Sequence, residues 1–247
     1  MFGGDAPAGP ARRGAFMAGL HDEVVDVLGR EIAAGAYPAG GVLRIEEVEQ
    51  RFGISRSVAR EAVRTLGSIR MVFGRKRVGF VVRPRAEWNS FDPKLIRWEL
   101  AADRTRQLTS LAELRTAIEP VAAAAAARRA GDDDVARLVA LSERMVVTAR
   151  SGDLDAFMDA DVDFHHAVLA ASGNAMFGQL HESVEEVLRW RAGSGLMPEH
   201  PRPVAVRLHC EVAECIRGGD RARAEEAMRE LVAEALEGTL SVLGADQ

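Results

Sequence analysis

Apolar residues recur at spacings of three and four through Val24, Val27, Leu28 and Ile32, which predicts a helix over residues 21–34. Gly35 stops it, and the segment through Gly41 reads as a turn. Residues 42–45 suit one short strand. Val48 and Phe52 mark a second helix, ended by Gly53. Ser55, with Ser57 behind it, is placed to cap a third, whose apolar stripe is Val58, Ala62, Val63 and Leu66. Two β-rich runs follow, 71–73 and 78–82, and the charged turn GRKR lies between them. Two helices separated by a tight break, then a hairpin, predict a winged helix-turn-helix over residues 18–83.

Beyond that point the period changes. Residues 84–92 form a linker flanked by Pro93, with Trp88 and Phe91 inside, and aromatic residues in a linker are expected to dock. From Pro93 onward no strand pattern occurs. Helices are expected at about 93–102, 107–130, 132–150, 153–172, 175–193, 203–218 and 220–243. The breaks fall at Gly131-Asp132, Gly152-Asp153, Gly173-Asn174, the stretch from Pro198 to Pro203, and Gly218-Gly219-Asp220. Each Gly-Asp pair reads as the end of one helix and the cap of the next. The fold class is mainly α: an N-terminal winged helix-turn-helix and an all-α C-terminal helical bundle over residues 93–243. Residues 1–17, rich in Gly, Ala and Pro, are expected to be a disordered tail. No apolar run approaches the roughly 20 residues of a membrane span. The two cysteines, Cys210 and Cys215, cannot build a disulfide framework and suit a cytoplasmic protein.

The overall charge of −5 argues against a nucleic-acid partner, but its distribution reverses that argument. Residues 1–83 carry 13 basic and 9 acidic residues, whereas residues 84–247 carry 19 and 28. A small basic module is fused to a large acidic one, and only the first can neutralise phosphates. On the third helix Arg56, Arg60 and Arg64 sit four apart on one face, away from the apolar stripe. A helix in the major groove needs such an edge, because arginine pairs bidentately with guanine. The turn at Arg75, Lys76 and Arg77 sets like charges side by side, which phosphates or a minor groove would neutralise.

In the acidic half, Asp161 and His165 are four apart on one helix face and could reach one ion, and His209 on a later helix could close the site. A carboxylate with imidazoles suits Zn, Ni, Mn or Fe. Hydrogen bonding inside a helical bundle is the plainer alternative. A metal-dependent enzyme using Asp161, His165 and His209 is a further one, but no nucleophile motif or phosphate loop accompanies them.

The motifs taken together resemble a known family. IEEVEQRFGISRSVAREAVRTLGSIRMVF followed by VGFVV is similar to the winged helix of GntR-type regulators. LAELRTAIEPVAAAAAA, DVDFHHAVLAASGN and LHCEVAECIRGGDRARAEEAM resemble, in that order, the FCD effector domain of its FadR branch. RPRAEWNSFDPKLIRWEL resembles the linker of sugar-acid-responsive repressors within that branch. The resemblance implies a homodimeric repressor of a catabolic operon, an inverted-repeat operator, and an all-helical effector domain that often holds a divalent metal. It places Arg56, Ser57 and Arg60 against DNA, with Arg64 on the same stripe, and puts Arg75, Lys76 and Arg77 at the wing tip, where Gly79 permits the hairpin. One position departs: Glu46 stands where the family usually carries an arginine, and Arg44, two residues earlier, is the candidate to replace that contact. Asp161, His165 and His209 match the family's metal ligands, but Leu231 occupies the place of the usual fourth. Arg115 matches a position turned into the effector pocket, where it would clamp a small carboxylate such as a sugar acid beside Asp161, His165 and His209. An internal ion pair with Glu119, four residues on, is the alternative for Arg115.

Overall fold

Two compact units divide the chain at Asp103. The structure, a computed structural model, describes residues 10–193 and 201–245. The first unit starts on helix α1 (Pro10–Ala33), whose Val24, Val25, Leu28 and Ile32 are buried at helical spacing. Strand β1 (Val42–Leu43) leads into α2 (Ile45–Phe52), which ends where Gly53 takes a left-handed conformation, φ 62°. Helix α3 (Arg56–Ser68) follows, and the Ser55 hydroxyl accepts a bond from the Val58 amide as its cap. Strands β2 (Val72–Arg75) and β3 (Gly79–Val82) form the wing. The sheet is antiparallel in the order β1-β3-β2, with Leu43 opposite Phe80 and Arg75 opposite Gly79. The unit is a winged helix-turn-helix. On α3, Val58, Ala62, Val63 and Leu66 are buried and the arginines are exposed, because a 3.6-residue period separates the two sets.

Helix α4 (Pro93–Ala102) packs against α1. Its Trp98 is buried, and the indole Nε1–H donates to Asp26 Oδ1 at 2.8 Å. The placement of residues 93–102 in the C-terminal domain is therefore corrected: they complete the core of the first unit. The linker holds a 3₁₀ turn, Arg85–Glu87. Trp88 docks as expected, buried with Nε1–H donating to the Arg83 carbonyl at 3.0 Å, whereas Phe91 stays 54% exposed. The disordered tail expected over residues 1–17 is also corrected in part. Helix α1 begins at Pro10, a residue suited to a first helical turn, and residues 1–9 lie outside the described residues.

The second unit is all helical: α5 (Arg104–Arg129), α6 (Asp132–Ser151), α7 (Leu154–Ala171), α8 (Ala175–Gly178), α9 (His181–Gly193), α10 (Pro203–Arg217) and α11 (Arg221–Ala245). Helix α5 packs against α7, α10 and α11, and α6 packs against α7 and α10. The helix expected over 175–193 is two helices, since the chain turns between Gly178 and His181, where His181 Nδ1 meets the Gly178 carbonyl at 2.8 Å. Asn174 caps the first of them by accepting from the Met176 amide. Of the break placed at Pro198 to Pro203, residues 198–200 lie outside the described residues. Among the described residues no helix is long and apolar enough to cross a membrane. Cys210 and Cys215 are free thiols.

Candidate functional site

The N-terminus of α3, the start of α2 and the wing enclose an open groove of about 590 Å³. Arg44, Arg56, Arg60, Arg75, Lys76, Arg77 and Gly79 line it, so most of the residues expected to meet DNA share one surface. Ser57 and Arg64 are not among the lining residues: Ser57 Oγ lies 2.9 Å from Ser55 Oγ, and Arg64 pairs with Glu61 one turn back. The wing tip turns with Arg77 in the left-handed region, φ 62°, closed by the Val78 amide donating to the Arg75 carbonyl. Gly79 has a second reason to be glycine besides its φ of 125°. A Cβ there would stand 2.9 Å from the Leu43 carbonyl oxygen, so its absence lets β3 lie against β1. The groove also holds a carboxylate that the spacing argument gave no role. Glu46 Oε1 lies 2.7 Å from Arg56 Nη1, and Arg44 pairs with Glu47 at 3.0 Å.

The second constellation lies inside the helical unit. Asp161 and His165 on α7 and His209 on α10 are all buried, and one ligand atom from each lies within 4.8 Å of the others. His209 Nδ1 is 2.7 Å from the Ala205 carbonyl, one turn earlier on the same helix, and that acceptor places its proton on Nδ1. The lone pair of Nε2 then faces the cluster. Nε2 is 2.9 Å from Asp161 Oδ1 but off the line of a hydrogen bond, and it is a buried nitrogen without a hydrogen-bond partner. His165 is oriented from the other side, where its Nδ1 lies 2.5 Å from Glu119 Oε2. Its Nε2 is 3.6 Å from Asp161 Oδ1.

Arg115 joins the same network. Its Nε donates to Glu119 Oε1 at 2.5 Å, and Nη2 is 3.2 Å from His165 Nε2. The internal ion pair with Glu119 is therefore present, and it sits against the Asp-His-His cluster rather than apart from it. Burial by itself would push the Glu119 carboxyl up, but the Arg115 and His165 charges pull it down to about 2. Asp161 behaves alike: burial opposes ionisation, and the His165 and His209 imidazoles beside it hold it well below the usual carboxylate range. Two ionised carboxylates face a single guanidinium and two imidazoles. A buried carboxylate beside an unpartnered imidazole nitrogen is part of the donor set that a borderline divalent cation takes. Leu231 is buried in the apolar core and offers no donor atom.

Residues 20–82 match the family described as bacterial regulatory proteins, gntR family, and residues 110–234 match the FCD domain. The chain belongs to the GntR family. It is 30% identical over 220 residues to the galactonate operon transcriptional repressor of Escherichia coli, covering 86% of this chain and 93% of that one. It is 27% identical over 221 residues to a probable D-xylose utilization operon transcriptional repressor of Paenarthrobacter nicotinovorans, covering 88% and 87%. A solved structure of Lar, which controls the agr system of Listeria monocytogenes, shares the fold at a TM-score of 0.56 and 19% identity, covering 90% of this chain and 96% of that one.

Membership in the GntR family makes the chain a DNA-binding transcription regulator, and the metal-dependent enzyme alternative falls away. Glu119 is the member of the buried network that sequence reasoning treated only as a partner for Arg115. The four-residue step to Arg115 was visible, but the approach to His165, 46 positions later, exists only after α5 and α7 pack.

Proposed function

We propose that the chain represses a catabolic operon as a homodimer on an inverted-repeat operator, and that a small carboxylate of the sugar-acid class releases it. A single winged helix reads too few base pairs for useful specificity, and a twofold dimer doubles the site. The shared groove supports this reading, in which Arg56 and Arg60 would contact bases and Arg75, Lys76 and Arg77 would contact phosphates. The relatives named for galactonate and D-xylose operons support a sugar-derived effector.

The observation that carries the effector half is the buried Asp161, with His209 Nε2 left without a partner beside it. Asp161, His165 and His209 would hold a divalent cation such as Zn, Ni, Mn or Fe. With Leu231 in place of a fourth protein donor, such an ion would offer open positions to ligand oxygens. Arg115 spends Nε and Nη2 on Glu119 and His165, which leaves Nη1 for the anionic group of the effector.

The test is a thermal-shift screen of sugar acids with and without added Zn, followed by operator-release assays with the acids that stabilise. A ligand at 100 times its Kd should contribute about 2.7 kcal/mol to stability. The response should require the metal and vanish in His209→Ala, while operator binding persists. Undiminished acid binding in both His209→Ala and Arg115→Ala would move the pocket elsewhere. A monomer by light scattering, free and on DNA, would remove the dimer.

A further inference from the structure

Every charged residue lining the winged-helix groove is a cation except Glu46. A carboxylate there costs affinity for a polyanion, because it repels the phosphates that the surrounding arginines attract. Its position accounts for its presence. Glu46 lies in the first turn of α2, and its Oε1 reaches Arg56 at the first position of α3. Glu49, one turn further along α2, reaches the same guanidinium at 3.5 Å. Both carboxylates engage Nη1. The other edge of the guanidinium, Nε with Nη2, is left open. That edge carries the two parallel N–H groups that match O6 and N7 of guanine. A free arginine on a helix surface samples many rotamers and reaches phosphates as readily as bases, whereas a buttressed one presents a single edge.

We propose that Glu46 is a positioning residue that sets operator specificity: it holds Arg56 by Nη1 so that the Nε/Nη2 edge reads one guanine. Its negative charge also disfavours registers in which Arg56 would meet only backbone. The inference rests on the operator-binding reading of the groove, and it makes one acidic side chain the source of discrimination rather than of affinity.

The experiment is selection of binding sites from a randomised duplex pool by the full chain, followed by binding titrations on the selected operator and on an unrelated duplex. Wild type, Glu46→Gln, Glu46→Ala and Arg56→Ala are compared, with circular dichroism confirming that each folds. Arg56→Ala should lose the guanine preference at one position per half-site. Both Glu46 variants should lose most of that same preference, about tenfold, while binding the unrelated duplex more tightly than wild type. Glu46 variants that gain affinity uniformly and keep the guanine preference would overturn the positioning role and leave operator binding intact. An Arg56→Ala variant with unchanged base preferences would overturn it as well. A wild-type chain that selects no sequence would instead overturn the operator-binding reading, and this inference with it.

Discussion

Gly29 lies under the indole of Trp98, and a Cβ at that position would stand 2.4 Å from the ring. The contact fixes α4 on α1, and the Trp98–Asp26 hydrogen bond holds it in register. Gly29→Ala should therefore push Trp98 out of its site and destabilise the first unit by about 1–3 kcal/mol, the usual range for an overpacked core. Gly19→Ala on the same helix meets nothing within 4 Å, and it should be neutral or stabilising by about 0.5–1 kcal/mol. Thermal melts of the two variants beside wild type check this; equal melting temperatures would show that α4 is not held there.

Arg60→Ala should weaken operator binding selectively, by about 1–3 kcal/mol, because the variant cannot make the bidentate bond to a base. Neutralising Lys76 or Arg77 should weaken all duplexes alike and reduce the salt slope by about 0.9 for each phosphate no longer neutralised. Fluorescence anisotropy across a salt series on operator and unrelated DNA separates the two patterns. Wing variants with wild-type slopes would take the wing tip off the phosphates.

The parts of this molecule that were legible in its sequence are those set by short-range period. Arg56, Arg60 and Arg64 share a face, as do Asp161 and His165, because four residues make about one helical turn. The cap at Ser55 was legible for the same local reason. Helix α4 was recognised as a helix but given to the wrong unit, since amphipathic spacing says which residues are apolar and not what covers them. Trp98 finds Asp26 across 72 positions, beyond the reach of any local rule. Helix α1 starts at Pro10 although Gly-, Ala- and Pro-rich composition pointed to coil; the proline itself was the usable start signal. The split between α8 and α9 gave little warning, as only Gly178 marks it.

Glu119→Ala should be more damaging than its place in an alanine-rich helix suggests. It leaves the fully buried Arg115 charge without its carboxylate, at a cost of about 3–5 kcal/mol. The double variant Arg115→Met, Glu119→Leu removes both charges and should recover much of that stability. Urea denaturation of both variants measures the coupling. A double variant as unstable as Glu119→Ala would show that packing, not charge, dominates at this position.

The rings of His166 and His181 stack at 4.4 Å with an interplanar angle of 14°. Partial burial, then the neighbouring His181 and Arg137, hold the His166 pKa below the ordinary imidazole value, against weaker opposition from Asp163 and Glu185. An unfolded histidine titrates near about 6.5, so below that pH the unfolded chain takes up a proton that the folded chain resists. Stability should be full above this value and fall as pH drops towards the depressed folded pKa, then level off once both states are protonated. His166→Gln should flatten that part of the melting-temperature profile between about pH 7 and pH 5. Parallel profiles for wild type and variant would exclude the stacked pair as the source.

The two buried imidazoles owe their orientation to different kinds of partner. His165 is held by a side chain, Glu119, which a single codon change can remove. His209 is held by the Ala205 carbonyl, which belongs to the main chain of its own helix. Any residue at 205 that keeps α10 helical supplies the same acceptor, so this orientation is insulated from mutation. A change at position 119 would therefore release His165 and strand Arg115 together, while the donor at 209 stays fixed as long as the helix does.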